Sequence, residues 1–436
     1  MNTFRTRSIA TIVATALTGL ALTACGTGSP SAPAAPTESA DAPPAALSGS
    51  ITYASWSNNQ RPTMLKLIEE FEKKHDGVTV NLEVTPYDQY WTKLQTQAAS
   101  GTMPDVLWLN STMVELYATE GMLQPLDEVV AEEKIDLANY PQILVDLYTF
   151  EGTTWAVPKD QDSQVVFYNK DLFDRAGVEY PEAEWTLDDY RAKAKAISEA
   201  LSSDNIYGAA MNIDGQSMYY NTIYQFGGHV ISEDGTSSGF DDPASKAGIQ
   251  FWVDIMNEGI SPSIQQLTDA TGEDWFTSGR AAMFWGGNNK IRNIMDSDVS
   301  ESVQVVRLPA GVQSATIVNG LGNAVSHNTP NKPLADAFLA YLGSEEAALI
   351  QSEAGTGTSA FIGTEGPWLA SQPTLDLQIF LDSAQEFGVQ LPSSKNTQAW
   401  GNLENEFLGQ IWTGKLSVED GMTQLAAQMN DVLAKE

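Results

Sequence analysis

The sequence predicts an α/β protein built on open sheets flanked by helices, with chain enough for two domains. Three observations carry this reading. Strand and helix patterns alternate β-α-β-α-β over Ile51–Leu109. The alternation resumes after Trp155 and gives way to a mostly helical C-terminal third. Nearly 400 residues follow an N-terminal leader and linker, which suits two domains.

The leader comes first. Arg5 and Arg7 make a short basic region, and Ile9–Leu22 is an apolar and small-residue run. That run is shorter than the roughly 20 apolar residues of a membrane-spanning helix, so residues 1–24 read as a secretory signal. Cys25, the sole cysteine, follows at once, so neither a disulfide nor a cysteine-based metal site is expected. Gly26–Ser50 is rich in Gly, Ser, Ala, Thr and Pro, the composition of a flexible tether.

Ile51–Ser55 reads as a strand that runs into the polar turn Trp56-Ser57-Asn58-Asn59. Met64, Leu65, Leu67, Ile68 and Phe71 form a helical stripe behind Pro62, which suits a first turn. Val78, Val80, Leu82 and Val84 alternate as a second strand. Tyr87–Ser100 is a helix closed by Gly101, and Asp105–Leu109 is a short buried parallel strand. Further on, Trp155–Pro158 is extended, Gln164–Tyr168 is a strand, and Thr186–Ala200 is a helix capped by Thr186 with Asp189 at its third position. Gly208–Asn212 is strand-like and Val303–Leu308 is a strand. Helices are predicted over Pro333–Leu342, Ser344–Glu353 and Val418–Leu433.

In open α/β sheets, ligands bind outside the carboxyl ends of the strands. Here those ends carry Trp56, Asn58 and Asn59, then Asn110 and Ser111. Amides and hydroxyls exchange hydrogen bonds with sugar hydroxyls, and an indole covers the apolar face of a pyranose. The same residues are favoured as turn formers and caps, so periodicity alone leaves both readings open.

The formal net charge is −33, and removal of residues 1–24 takes two arginines and no acid. Such an acidic body argues against nucleic-acid or anionic-membrane binding through a basic patch. His75, His229 and His327 lie far apart with no metal-ligand spacing. No nucleophile elbow or P-loop occurs, and Asp160-Gln161-Asp162 lacks the rest of a calcium loop. Neither a cofactor, a metal nor a catalytic residue is therefore expected.

Leu22-Thr23-Ala24-Cys25 resembles the lipobox of bacterial lipoproteins. That resemblance implies cleavage before Cys25 and a lipid anchor on it, with residues 25–50 as anchor and linker. The stretches AASGTMPDVLWLN (98–110), EGMLQPLDEVV (120–130), WAVPKDQDSQVVFYNKDLFDRAGV (155–178), EWTLDDY (184–190), FTSGRAAMFWGG (276–287) and AFLAYLGSEEA (337–347) occur in that order. Together they resemble the family 1 extracellular solute-binding proteins, the carbohydrate-type, maltose-binding-protein-like receptors of bacterial ABC importers.

The resemblance implies a two-lobed periplasmic-binding-protein-like fold, with residues 51–159 and 317–360 in lobe 1 and residues 160–316 and 361–436 in lobe 2. Crossings are expected near 158–163, 310–319 and 358–367. It implies a monomer, lipid-anchored on the outer face of the cytoplasmic membrane, that closes on a sugar and docks on a membrane permease. Carried over, the site comprises Trp56, Asn58, Asn59, Asn110, Ser111, Asp160, Asp162, Tyr219, Tyr220, Trp285, Gly286, Gly287, Asn319 and Gly320. Trp285 is the foremost stacking residue, while Trp91, Trp155, Trp252 and Trp412 sit on apolar patterns and read as packing. Where many relatives carry a Gly-x-x-Pro or Arg-containing loop, this chain has Gly355-Thr356-Gly357-Thr358, and the role of that loop stays open. A polyol, polyamine or peptide receptor, or a glycoside hydrolase needing two facing acids, are the alternatives.

Overall fold

The structure is a computed structural model that describes residues 47–133 and 135–436. The expected leader, the lipid site at Cys25 and most of the linker lie outside the described residues.

The first lobe is built on a five-stranded sheet, in the order Val78–Val84, Gly49–Ser55, Val106–Asn110, Leu321–Val325, Val157–Pro158. The first three strands are parallel because helices Arg61–Lys74 and Tyr87–Ser100 carry the chain back between them. The last two join antiparallel. The first strand begins at Gly49, two residues earlier than expected, and Gly49 pairs with Val78. Its φ of +107° and a Cβ position 2.9 Å from Asn331 Nδ2 make glycine the residue that fits there. The predicted stripe of the first helix is buried at Met64, Leu67, Ile68 and Phe71, and Leu65 is exposed. Phe338 of the late helix Lys332–Leu342 packs on Tyr53 and Phe71, with ring centroids 5.3 and 5.0 Å apart.

The second lobe is built on three antiparallel strands in the order Val303–Arg307, Gln164–Asn169, Met283–Gly287. Both faces of this sheet are covered. Val166 and Trp285 face one core, shared with helices Leu187–Ala200, Pro243–Asn257, Thr397–Trp412 and Val418–Leu433. Val165, Phe167 and Phe284 face another, with Trp368 and Phe380. That alternation is the strand period of two. Thr186 and Asp189 form the predicted capping box. The strand-like stretch near Gly208 makes only single bridges, Tyr207 to Ala281 and Ala210 to Phe284.

Between the two sheets the chain crosses in segments that hydrogen-bond to one another. Asp160–Gln161 pairs antiparallel with Thr358–Ser359, and Asp162 bridges Asn319. Thr316–Val318 pairs with Gly388–Gln390. No helix among the described residues is long and apolar enough to cross a membrane.

Candidate functional site

A cavity of about 420 Å³ lies where the strand ends of the first sheet meet these crossing segments and the second lobe. Trp56 and Ser57 enter it from the end of Gly49–Ser55, Asn110 from the end of Val106–Asn110, and Tyr87 from the start of the helix Tyr87–Ser100 that follows Val78–Val84. The second lobe contributes Gln216, Asn288 and Asn289.

One wall is aromatic. The Trp56 ring meets Tyr90, Trp108, Tyr87 and Trp91 with centroids 5.0, 5.2, 5.6 and 5.6 Å away, mostly edge to face. Trp56, Tyr87 and Trp108 line the cavity, and the Lys159 ammonium sits 4.5 Å from the Trp108 ring centre.

The carboxylates at the floor are already engaged. Asp160 Oδ1 accepts the Leu321 N–H at 2.7 Å and Oδ2 accepts Lys159 Nζ at 2.9 Å. Lys159 also donates to Gln60 Oε1 at 2.8 Å. The pair is buried, so the charge of Asp160 is neutralised in place. Asp162 Oδ1 accepts the Asn288 N–H at 2.9 Å, and Oδ2 accepts Gln216 Nε2 at 2.9 Å and Gln164 Nε2 at 3.3 Å. Burial pushes the Asp162 carboxyl up to about 7, against the pull of its hydrogen-bond donors.

Asn319 ties this floor to the first lobe. Its amide oxygen accepts Ser111 Oγ at 2.8 Å and its Nδ2 donates to Gln216 Oε1 at 3.2 Å. Ser111, Asn319, Gln216 and Asp162 thus form one side-chain series from lobe to lobe. Gln216 stands in a π-helical turn, Gly215–Tyr219, opened by Asp214 Oδ1 accepting the Ser217 N–H at 2.8 Å.

Of the residues expected at the site, Trp56, Asn110, Asp160, Asp162, Asn319 and Gly320 line the cavity. Ser111 stands behind them and acts through Asn319. Asn58 and Asn59 do not line it: they are exposed on the turn before the first helix, and Ser57 and Gln60 take the inner positions. Trp285 is not a stacking surface. Its strand position turns it into the core at 1% exposure, edge-on to Trp252 and Tyr190 at 5.0 and 5.7 Å. Tyr219 and Tyr220 are also core residues, and Tyr220 donates to Glu404 Oε2 at 2.7 Å. The role found for Gly287 is indirect, since a Cβ there would lie 2.3 Å from Asp162 Oδ1. At Gly286 a Cβ would lie 2.8 Å from the Phe284 ring, so packing accounts for that glycine.

Sequence reasoning missed Gln60, Tyr87, Gln216 and Asn288. Asn288 follows its strand directly and Tyr87 opens the next helix, with two residues between it and the end of Val78–Val84, so the strand-end rule reaches both when applied to every strand. Gln216 carries no local signal, because a π turn has no simple periodicity.

Residues 55–349 match the family model described as bacterial extracellular solute-binding protein. The chain is 26% identical over 298 residues to a binding protein of Brucella abortus (strain 2308), covering 67% of this chain and 71% of that one. It is 24% identical over 345 residues to the galactooligosaccharide-binding protein of Bacillus subtilis (strain 168), covering 76% and 75%. Among solved structures, an ABC substrate-binding protein from Listeria monocytogenes in complex with cycloalternan superposes with a TM-score of 0.82 at 25% identity, covering 89% of this chain and all of that one.

Proposed function

The chain belongs to the bacterial extracellular solute-binding protein family, and from that premise we propose that it captures a sugar in its interlobe cavity for an ABC importer. The observation that carries this reading is the composition of the cavity wall. Trp56 and Tyr87 offer apolar faces, with the buried Trp108 packed behind Trp56, while Asn110, Gln216, Asn288, Asn289 and Asn319 offer neutral donors and acceptors. A polyhydroxylated, uncharged ligand matches both. The relatives support the class, since one is named for galactooligosaccharides and one structure holds cycloalternan.

The internal Lys159–Asp160 pair weighs against a polyamine, which needs free carboxylates. It also weighs against a glycoside hydrolase. A retaining or inverting enzyme needs one acid to protonate the leaving group and a second to act as nucleophile or base. Asp160 has both oxygens occupied by a backbone N–H and a lysine. The protein is accordingly read as a receptor with no catalytic activity, and release of reducing sugar from oligosaccharides would overturn that reading.

In this reading the lobes, residues 51–159 with 317–360 and 160–316 with 361–436, close about the crossing segments when ligand bridges them. Closure follows only if the ligand binds the closed state more tightly than the open one. The closed monomer then docks on the permease. Cys25 carries the lipid anchor that holds the receptor on the outer face of the cytoplasmic membrane, with the Gly/Ser/Pro-rich linker as its tether.

The test is a thermal-melt screen of the chain lacking residues 1–24 and carrying Cys25→Ser. Mono-, di- and oligosaccharides are run against mannitol and spermidine. A ligand at one hundred times its Kd adds about 2.7 kcal/mol to stability. A rise in melting temperature with one group of sugars is expected. A rise with spermidine alone would overturn the sugar assignment.

A further inference from the structure

Among the described residues, Lys159 is the one lysine or arginine that is buried. It stands beside the cavity without lining it. Its backbone is fixed on both sides. The N–H donates to the Leu321 carbonyl at 2.7 Å, and the carbonyl accepts the Ala360 N–H at 3.2 Å and Gln351 Nε2 at 3.0 Å. The side chain therefore projects from a rigid peg in the segment that carries the chain out of the first sheet.

The ammonium meets three groups. It donates to Asp160 Oδ2 at 2.9 Å and to Gln60 Oε1 at 2.8 Å, and both residues line the cavity. It also lies 4.5 Å from the centre of the Trp108 ring. Asp160 alone does not account for it. A buried ion pair is often no more stable than apolar side chains of the same volume, so neutral residues would serve for packing. What an apolar stem does not supply is a hold on Gln60 and Trp108. Lysine only donates, so the Gln60 amide must turn its oxygen toward it, and the indole face attracts the cation.

Both groups support Trp56. Gln60 closes the turn that Trp56 opens, and its N–H donates back to Ser57 Oγ at 3.3 Å. Trp108 stands behind the Trp56 ring, edge to face at 5.2 Å, and is itself held by Nε1 donating to Tyr53 Oη at 2.6 Å. The other rings on Trp56, those of Tyr87, Tyr90 and Trp91, come from the helix Tyr87–Ser100. Lys159 thus ties this aromatic wall to the crossing segment.

We infer that Lys159 is a positioning residue for ligand binding: its ammonium fastens Gln60 and the Trp108 ring together, and so fixes where Trp56 stands in the cavity wall. The ligand in this statement rests on the proposed reading of the cavity as a sugar site, while the placing of Trp56 is tested without ligand.

The experiment uses the chain lacking residues 1–24 with Cys25→Ser, labelled with fluorotryptophan, each variant held at a temperature where it is fully folded. Trp56→Phe assigns the Trp56 line in the fluorine spectrum. Lys159→Met removes the ammonium and leaves Asp160 buried without its cation, so its melting temperature should fall. Lys159→Met/Asp160→Asn removes both charges and should recover most of that melting temperature. In the double variant the Trp56 line should still be shifted or broadened, while the lines of Trp252 and Trp285 in the second-lobe core stay in place. Gln60→Leu, at a partly exposed position, should move the Trp56 line in part.

Calorimetry with maltose, maltotriose, lactose and N,N′-diacetylchitobiose reads the consequence for binding. The sugar that binds the parent should bind the double variant about tenfold more weakly. Asp160→Asn alone keeps the ammonium on Gln60 and Trp108 and should bind more tightly than the double. A double variant that binds within twofold of the parent, or no more weakly than Asp160→Asn, would overturn the inference, because Lys159 would then only neutralise Asp160. If none of the four sugars binds the parent, the sugar reading falls and the fluorine spectrum still decides on Lys159. A Trp56 line unmoved in both the double variant and Gln60→Leu overturns the inference, and a moved line upholds it.

Discussion

Gln216 Nε2 donates to Asp162 Oδ2 at 2.9 Å, so a side chain of the second lobe is fastened to the crossing strand that leads into that lobe. Asn319, with Ser111 behind it, holds the other end of the Gln216 amide. The Gln216 amide therefore adds a side-chain link to the backbone pairing of Asp162 with Asn319 that already joins the floor to the first lobe.

Removing that amide should loosen the assembled floor without unfolding it. Gln216→Ala takes one of three donors from Asp162 and one acceptor from Asn319. Hydrogen bonds to charged groups contribute about 1.5–3 kcal/mol, so sugar binding should weaken at least tenfold. The melting temperature of the free protein should also fall, since the same bonds are made without ligand, though modestly because Gln216 is only partly buried. Calorimetry with the sugar found in the screen checks this, and unchanged affinity would remove Gln216 from the binding apparatus.

Binding should depend on pH through Asp162. Its carboxyl titrates near 7 in the free protein because burial disfavours the charge. A ligand hydroxyl donating to it favours the charged form and lowers that value. A lower value in the complex means binding releases a proton, so affinity rises as pH increases through about 7. Kd measured at pH 6 and pH 8 decides the sign. Asp162→Asn should flatten the profile.

Stability should fall over the same pH range through Glu404. This carboxyl is buried beside Tyr219 and Tyr220 on helix Thr397–Trp412, and its Oε1 has no partner. Burial pushes it up to about 7 from an ordinary value of 4.5. The folded state therefore holds a proton that the unfolded chain has lost between those values. Stability is greatest below about 4.5, declines as pH rises through 7, and is flat above it. The decline is on the order of a few kcal/mol at 1.36 kcal/mol per unit. Denaturant melts should show Glu404→Gln more stable than the parent at pH 8, with the Glu404 share of this slope gone and the share from the raised Asp162 carboxyl remaining.

Much of the first lobe was legible because its strands and helices obey simple periods. Pro62, Gly101 and the alternation Val78–Val84 mark boundaries that the structure keeps. The cavity was legible where it follows from strand ends, as at Trp56 and Asn110, and at the crossover acids Asp160 and Asp162. It was not legible where tertiary placement decides. Trp285 sits beside two glycines, a pattern that suggests ligand approach, yet strand alternation sends the indole into the core and leaves Gly287 to admit Asp162. Gln216 depends on a π turn that local propensity does not encode.

Two tryptophans should therefore separate binding from folding. Trp285 is enclosed by Tyr190 and Trp252, so Trp285→Ala leaves a large core void. Such truncations cost about 3–5 kcal/mol, and the melting temperature should drop sharply. The fraction that stays folded should bind sugar with nearly the parent Kd, because Trp285 does not line the cavity. Trp56 is partly exposed at the cavity wall and held by rings on several sides. Trp56→Ala removes the apolar face offered to the ligand and some packing, so stability falls less than in Trp285→Ala while binding falls more than tenfold. Trp56→Phe keeps an aromatic face and should recover part of the affinity. Paired melting and calorimetry on the three variants test the assignment: strong binding loss in Trp285→Ala at a temperature where it is fully folded would return that indole to the ligand site.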